Sequence, residues 1–313
     1  MILEDLAKRK LIHPPRWMIS NTCYLTVMGS NAYAASGDTS DVDVYGFCLP
    51  PKEMVFPHLA GTIQGFGTQV QKFDQWSEHH IKHPDKDTEY DFTVFGIVRY
   101  FQLCMENNPN TLDSLFVPRR CIMHSTGVSE HMRTNRRIFL HKGAMGKFRG
   151  YAFSQMSKIR NKTNSSNPKR AATIERHGYD TKFLMHVVRL ALECEQILVE
   201  GDLDLERNGG ILKSVRRGEW TLEQAEDWFT NKERALETCY ANSTLPHSPD
   251  ETRIKQILLE CLEMHYGSLD TVIAKNPSME AMISDLQAVL HRYSSQELAS
   301  SARPSLWKRL LRL

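Results

Sequence analysis

Short apolar runs separated by polar turns occupy the first third of the chain. The runs at 23–28 and 42–48 are rich in β-branched and aromatic residues, which favours strands. Residues 68–73 alternate polar and apolar side chains and predict a third strand, and residues 89–94 predict another in the same way. Side chains in a strand point to alternate faces, so each predicted strand has one buried and one open face.

A polar stretch from 75 to 88 separates the last two of these runs and is predicted to be a surface or substrate-facing loop. It carries His79, His80 and His83, which raises the alternative of a metal site. Two of these histidines are adjacent and the third precedes a proline, so the loop is favoured.

Helical spacing of apolar residues begins near Phe95 and dominates the second half of the chain, where strand signals fade. The pattern predicts an α+β protein in which an N-terminal domain with a mixed sheet precedes an all-helical C-terminal domain. We place the domains at 1–142 and 143–294, and a linker with a basic amphipathic tail at 295–313.

Composition places the 313-residue chain among ordinary globular proteins, with 41% hydrophobic and 24% charged residues. The net charge of +2 argues against a protein that coats polyanions, so any nucleic-acid contact should be local. Seven scattered cysteines without C-x-x-C spacing, an acidic start without a secretory signal, and no apolar run near ~20 residues predict a cytoplasmic protein that does not span a membrane.

Two aspartates, Asp41 and Asp43, lie at the start of the predicted strand 42–48 and share one face of it. Neighbouring carboxylates repel each other unless a cation joins them, and oxygen ligands suit Mg²⁺. A pair of Mg²⁺ (or Mn²⁺) ions that clamps a phosphate is the functional interpretation. The alternative is the acidic, solvated edge of a hairpin.

Gly29-Ser30, followed after ten residues by Asp41-x-Asp43, resembles the signature of the DNA polymerase β nucleotidyltransferase superfamily. The longer pattern resembles the predicted nucleotidyltransferases of bacterial RNA-repair operons and phages, and comprises Gly29, Ser30, Ala32, Tyr33, Ser40, Asp41, Asp43 and Gly46. This branch usually has glycine where the chain has Ala34. The resemblance implies a polymerase-β-like catalytic domain with a metal-dependent active site.

By this resemblance, Asp91 on a neighbouring strand joins Asp41 and Asp43 as a catalytic metal ligand and helps activate the acceptor hydroxyl. Glu89 points to the same face and is the reserve, and a solvent-facing Asp91 on an edge strand is the alternative. The nucleotide β- and γ-phosphates are expected to contact Gly29, Ser30 and nearby backbone N–H groups.

A second stretch, 177–190, places Lys182, His186 and Arg189 on one face of a predicted helix. It resembles a helix of the same branch, which implies that these residues and Tyr179 hold the incoming nucleotide. A charged surface helix, partly neutralised by Glu193, is the alternative. Asp113 follows an Asn-Pro turn that also resembles the branch, and either orients a metal-site group or caps a short helix.

Residues 160–176 are basic and are predicted to form a mobile loop that contacts nucleotide or RNA phosphates, with a solvated linker as the alternative. The predicted reaction transfers NMP from an NTP to a hydroxyl acceptor, releasing pyrophosphate. RNA, possibly a tRNA end, is the favoured acceptor. The alternatives are AMP transfer to a protein, as in some toxin–antitoxin systems, and a non-catalytic nucleotide- or RNA-binding module.

Overall fold

A mixed five-stranded sheet forms the N-terminal part of the protein. The computed structural model describes residues 1–35, 41–161, 168–268 and the single residue Gln287. The strands are β1 Thr22–Val27, β2 Val42–Cys48, β3 Gln75–Lys82, β4 Glu89–Gly96 and β5 Ile122–Ser125. Their order is β3-β4-β2-β1-β5, with β2 and β4 parallel and the other neighbours antiparallel.

Helices are the other long elements of the described chain. They are α1 Ile2–Lys8, α2 Lys52–Val55, α3 Ile97–Met105, α4 Pro109–Phe116, α5 Gly127–Thr134, α6 Ala144–Asn161, α7 Pro168–His177, α8 Thr181–Glu200, α9 Gly209–Arg216, α10 Leu222–Asn242 and α11 Glu251–Tyr266. After β5 the described residues contain helices and no strand, which confirms the predicted α+β class. No helix in the described ranges has the length and apolar composition needed to cross a bilayer.

Apolar side chains pack against both faces of the sheet. One face covers a small core around α1 that includes Leu3, Leu25 and Phe92. The other face joins a large core that continues from β1 to α11. Helix α8 is central to this second core and packs against α6, α9 and α10. Because apolar packing is continuous from the sheet into these helices, the proposed boundary at 142/143 stays a prediction.

Strand β3 corrects two sequence-based expectations. Residues 68–73 are not a strand, and the predicted polar loop from 75 contains β3 itself, which pairs antiparallel with β4. As an edge strand β3 exposes much of its surface, so its polar composition looks like that of a loop. A register shift between Glu78 and Ile81, with φ of +59° at His80, also breaks the period-two pattern.

The basic segment 160–176 is also different from the prediction. Residues 168–176 belong to helix α7, so the expectation of a loop is wrong there. Pro168 suits the first turn of a helix because its missing N–H has no helical partner at that position, and good helix formers follow it. Residues 162–167 and the tail 295–313 lie outside the described part of the chain.

Gly46 is the point of closest contact between β1 and β2. It is the register partner of Leu25. A Cβ atom at Gly46 would lie 2.0 Å from the Tyr24 carbonyl oxygen and 2.9 Å from Leu25 Cδ2. Glycine is therefore required at this position by the packing of β1 against β2, the strand that carries Asp43.

We expect Gly46→Ala to destabilise the protein by about 3 kcal/mol or more, because backbone must shift to admit the methyl group. Gly150→Ala is the control, since Gly150 is helical and a Cβ there meets no atom within 4 Å. That change should stabilise by up to about 1 kcal/mol through helix propensity. Urea unfolding measures both; equal effects would contradict the packing argument.

Candidate active site

Two carboxylates lie side by side on the parallel strands β2 and β4. Asp43 and Asp91 are register partners, so both project from the same face of the sheet, with the strands about 4.8 Å apart. Asp41 immediately precedes β2 and is exposed. Burial raises the pKa of Asp43, and the charges of Asp91 and Asp41 raise it further, while Lys182 opposes them. The three predicted metal ligands thus form one region of concentrated negative charge.

The loop after β1 closes directly over Asp43. The Met28 N–H donates to the Asp43 carbonyl at 2.7 Å, and a 3₁₀ turn Gly29–Asn31 follows. Gly29 has φ of +66°, and a Cβ there would lie 2.4 Å from Asp43 Oδ2. Glycine is therefore needed for both backbone conformation and space. The predicted Gly29-Ser30 turn adjoins the carboxylates, as expected for a phosphate-binding loop.

A cleft of about 300 Å³ lies between Asp43 and helix α8, and neither Asp41 nor Asp91 is among the residues that line it. Its lining residues are Met28, Gly29, Tyr33, Asp43, Tyr45, Asn110, Arg170, Lys182, His186 and Arg189. Asp180 caps α8 by accepting from the Lys182 and Phe183 N–H groups at 2.9 and 3.4 Å. The predicted helix face of Lys182, His186 and Arg189 therefore points into the same cleft as Asp43.

The α8 side of the cleft is cationic. Burial and the positive charges of Arg189, Lys182, Arg216 and Arg170 lower the pKa of His186 well below its usual value. These influences favour the neutral form of the imidazole. Arg170 was predicted only as part of a loop, but its guanidinium lies 4.8 Å from the Phe183 ring centroid and 3.6 Å from Asp180. The cationic side chains of α7 and α8 and the carboxylate of Asp43 therefore line the same cleft.

Tyr179 does not line this cleft. Its side chain is buried, and its hydroxyl donates to the Trp220 carbonyl at 2.6 Å. That bond ties the start of α8 to the segment before α10. A nucleotide contact by Tyr179 stays a prediction.

Asp113 lies within the core, and its predicted capping role is wrong. Asn108 caps α4 instead, accepting from the Thr111 N–H. Asp113 is fully buried, forms an ion pair with Arg189 and accepts a hydrogen bond from the Tyr33 hydroxyl. Asp113 lies inside the apolar run 111–116, a position that favours burial over helix capping.

The histidines of β3 contact the carboxylates of β4. The His80 N–H donates to Asp91 Oδ1 at 2.7 Å, and His79 Nδ1 lies 3.6 Å from the same oxygen. Glu89, the reserve ligand, is 2.6 Å from His80 Nδ1. These contacts hold the Asp91 carboxylate against β3 and pair Glu89 with His80.

The side chains of the site decide which metal ions it could bind. Within the described ranges, no three His, Cys, Asp or Glu side chains are grouped closely enough to hold a metal ion as they stand. Asp43 and Asp91 nevertheless offer hard carboxylate oxygens from adjacent strands, and the missing Cβ of Gly29 leaves room for the Asp43 carboxylate itself. These donors suit Mg²⁺ or Mn²⁺.

Glu193 supplies a test of the electrostatics beneath the cleft. Burial raises its pKa well above 4.5, and nearby Arg189 only partly opposes this. Folding therefore favours the protonated form, so the stability contributed by Glu193 is complete below the unfolded pKa and declines as pH rises toward the folded pKa. We expect the melting temperature of Glu193→Gln, relative to wild type, to increase between about pH 5 and about pH 8.

The exposed Glu263 provides the matched control, since Glu263→Gln makes the same acid-to-amide change at the surface. Its melting temperature should follow that of wild type across the range. A constant difference between Glu193→Gln and wild type at all pH values would contradict a raised pKa at Glu193.

Comparison with known proteins places the chain in a family. A family model described as RNA repair pathway DNA polymerase beta family matches residues 3–208. Comparison with curated proteins found no match. Among solved structures, a nucleotidyltransferase-like protein from Exiguobacterium sibiricum is similar at 8% identity and a TM-score of 0.27, over 94% of this chain and 90% of that chain. The family match includes both carboxylate strands and helix α8, and the chain therefore belongs to the RNA repair pathway DNA polymerase beta family of nucleotidyltransferases.

Proposed function

We propose that the protein transfers NMP from a nucleoside triphosphate to a hydroxyl acceptor and releases pyrophosphate. The observation that carries the proposal is the position of Asp43, which is in register with Asp91 across β2 and β4 and lines a cleft whose opposite side is cationic. In such a reaction, catalysis is mainly positioning and charge neutralisation. Carboxylates on one side and cations on the other suit a triphosphate between them.

Asp41, Asp43 and Asp91 would hold two divalent cations, Mg²⁺ or Mn²⁺. When bound, these ions supply neutralisation of the phosphate oxygens and in-line alignment of the attacking and leaving groups. Asp91 would also orient the acceptor hydroxyl and receive its proton. The Asp91 contact with the His80 backbone fixes the carboxylate on its strand for that role.

Nucleotide binding is assigned to both sides of the cleft. Gly29 and Ser30 would offer backbone N–H groups and a hydroxyl to the β- and γ-phosphates, next to the metal ligands. From α8, Lys182 would supply a compact charge and neutral His186 a hydrogen bond. Arg170 adds a second charge that sequence reasoning had not assigned to the cleft. We do not assign the predicted nucleotide contacts of Tyr179 and Arg189, because the Tyr179 hydroxyl donates to the Trp220 carbonyl and Arg189 is paired with Asp113.

RNA is the acceptor we propose, and a tRNA end is one candidate. Support comes from the description of the family as an RNA repair pathway family and from Arg170 of the basic segment, which lines the cleft. Arg160 of the same segment is paired with Glu226. The net charge of +2 agrees with a local contact between this segment and RNA.

The direct test is transfer of label from α-³²P nucleoside triphosphates, each offered with Mg²⁺ and total RNA. We expect wild type to label RNA, EDTA to abolish labelling, and Asp43→Asn to lower the rate by at least about a hundredfold through lost metal binding. Asp87→Asn, at an exposed aspartate in the turn between β3 and β4, is the matched control and should retain the rate.

Full activity of Asp43→Asn would contradict the proposed chemistry. Label that survives nuclease but is removed by protease would retain the chemistry and replace RNA by a protein acceptor. Absence of any labelled product with all four nucleotides would favour a binding protein that keeps the nucleotidyltransferase fold.

Gly29 provides a second test. Gly29→Ala should lower the transfer rate by about a hundredfold, because the new methyl group displaces the Asp43 carboxylate from its position. Gly67→Ala is the control: Gly67 has the same φ of +66°, but a Cβ there meets no atom within 4 Å. Equal rates for the two variants would contradict the argument that contact between residue 29 and Asp43 limits activity.

A further inference from the structure

We infer that Arg189 is a positioning residue that joins the Gly29-Ser30 loop to helix α8, and that it does not bind the nucleotide phosphates directly. Its partners are Tyr33 and Asp113, and we call these three residues the Arg189 cluster. This inference rests on the proposed function, because it assigns a role within the same cleft. The position of Arg189 on the same helix face as Lys182 suggests a phosphate ligand. The inference gives Arg189 a different role.

The Arg189 cluster holds the guanidinium through its Nη1 atom. Arg189 Nη1 donates to both Tyr33 Oη and Asp113 Oδ2, and the Tyr33 hydroxyl donates to Asp113 Oδ2 at 2.8 Å. The Arg189 Cζ atom lies 4.5 Å from the centroid of the Tyr33 ring. All three side chains are buried: Tyr33 is 3% exposed, Asp113 0% and Arg189 4%.

Charge explains why the guanidinium should remain there. If Arg189 turned to a phosphate, the carboxylate of Asp113 would be left buried without its counter-ion, which is strongly unfavourable. Glu193 Oε1 lies 3.5 Å from Arg189 Nη1 without a hydrogen bond, so the ion pair of Arg189 with Asp113 is the tighter of the two. Lys182, which is less buried, can approach an anion without such a loss.

The Arg189 cluster connects three parts of the site. Tyr33 follows directly after the turn that carries Gly29 and Ser30, Asp113 lies on α4, and Arg189 lies on α8 one turn after His186. The loop beside Asp43 and the helix face that carries Lys182 are thus held by one cation. A shift in either element would separate the phosphate-binding loop from the nucleotide-binding helix face.

Kinetics of Asp113→Asn and Tyr33→Phe test the inference, because both changes are nearly isosteric and both side chains hold Arg189. We expect each to lower kcat by roughly 10- to 100-fold while KM for the nucleotide changes less than about threefold. The double variant should be no more than about threefold slower than the slower single variant, because the residues act as a unit. Arg189→Lys should retain more activity than Arg189→Met.

Lys182→Met is the comparison for a direct phosphate contact and should mainly raise KM. If Arg189 instead bound phosphate directly, Arg189→Lys would raise KM as Lys182→Met does, while Asp113→Asn would leave kcat unchanged. Either of these results, or additive effects of Tyr33→Phe and Asp113→Asn on kcat, would overturn the inference.

Hydrogen exchange in the full chain separates this inference from the proposed function. The Ala32 and Ala35 amides donate to the Gly29 and Ser30 carbonyls at 3.0 and 2.8 Å, so their exchange reports the closed loop. We expect Asp113→Asn and Tyr33→Phe to accelerate exchange over residues 29–35, and Lys182→Met to leave it unchanged. Unchanged exchange in both cluster variants would refute the positioning role, whereas an inactive wild type would refute only the proposed reaction.

Discussion

The juxtaposition of two carboxylates on adjacent parallel strands is the constraint on which the rest of the site depends. Asp43 and Asp91 are held in register by the β2–β4 pairing, so backbone hydrogen bonds, and not flexible side chains, bring the negative charges together. Such an arrangement is unfavourable by itself and becomes favourable when cations are bound. The absence of a side chain at Gly29 leaves room for the Asp43 carboxylate, and Gly46 permits the close approach of β1 to β2.

The second half of the chain supplies the opposite charge. Helix α8 lies in the main core, yet the face that begins at Lys182 borders the cleft. Its cations differ in environment. Arg189 is buried and bound to Asp113, whereas Lys182 is only partly buried. A helix of this kind can position the loop through its buried cation and contact an anion through its more accessible one.

Several features of the site followed from sequence because they depend on local periodicity. The alternation in β2 and β4 predicted that Asp43 and Asp91 face away from the core, and the helical spacing in α8 predicted a shared face for Lys182 and Arg189. The usual glycine at the position of Ala34 also has a structural explanation, since Ala34 has φ of +51°. These patterns are imposed by backbone geometry over a few residues.

Features that depend on distant contacts did not follow from sequence. Strand β3 was missed because an edge strand with a register shift lacks regular alternation. The partner of Asp113 lies 76 residues away on α8, and no local pattern encodes that ion pair. Arg170 could be assigned to the cleft only after α7 was seen to place it over Phe183.

Anomalous diffraction from crystals soaked with Mn²⁺ and a non-hydrolysable nucleoside triphosphate would test the central claim most directly. The account predicts a Mn²⁺ peak bound by the carboxylates of Asp43 and Asp91, with the triphosphate between that peak and Lys182. A triphosphate bound elsewhere, or Mn²⁺ bound without contact to either carboxylate, would contradict it.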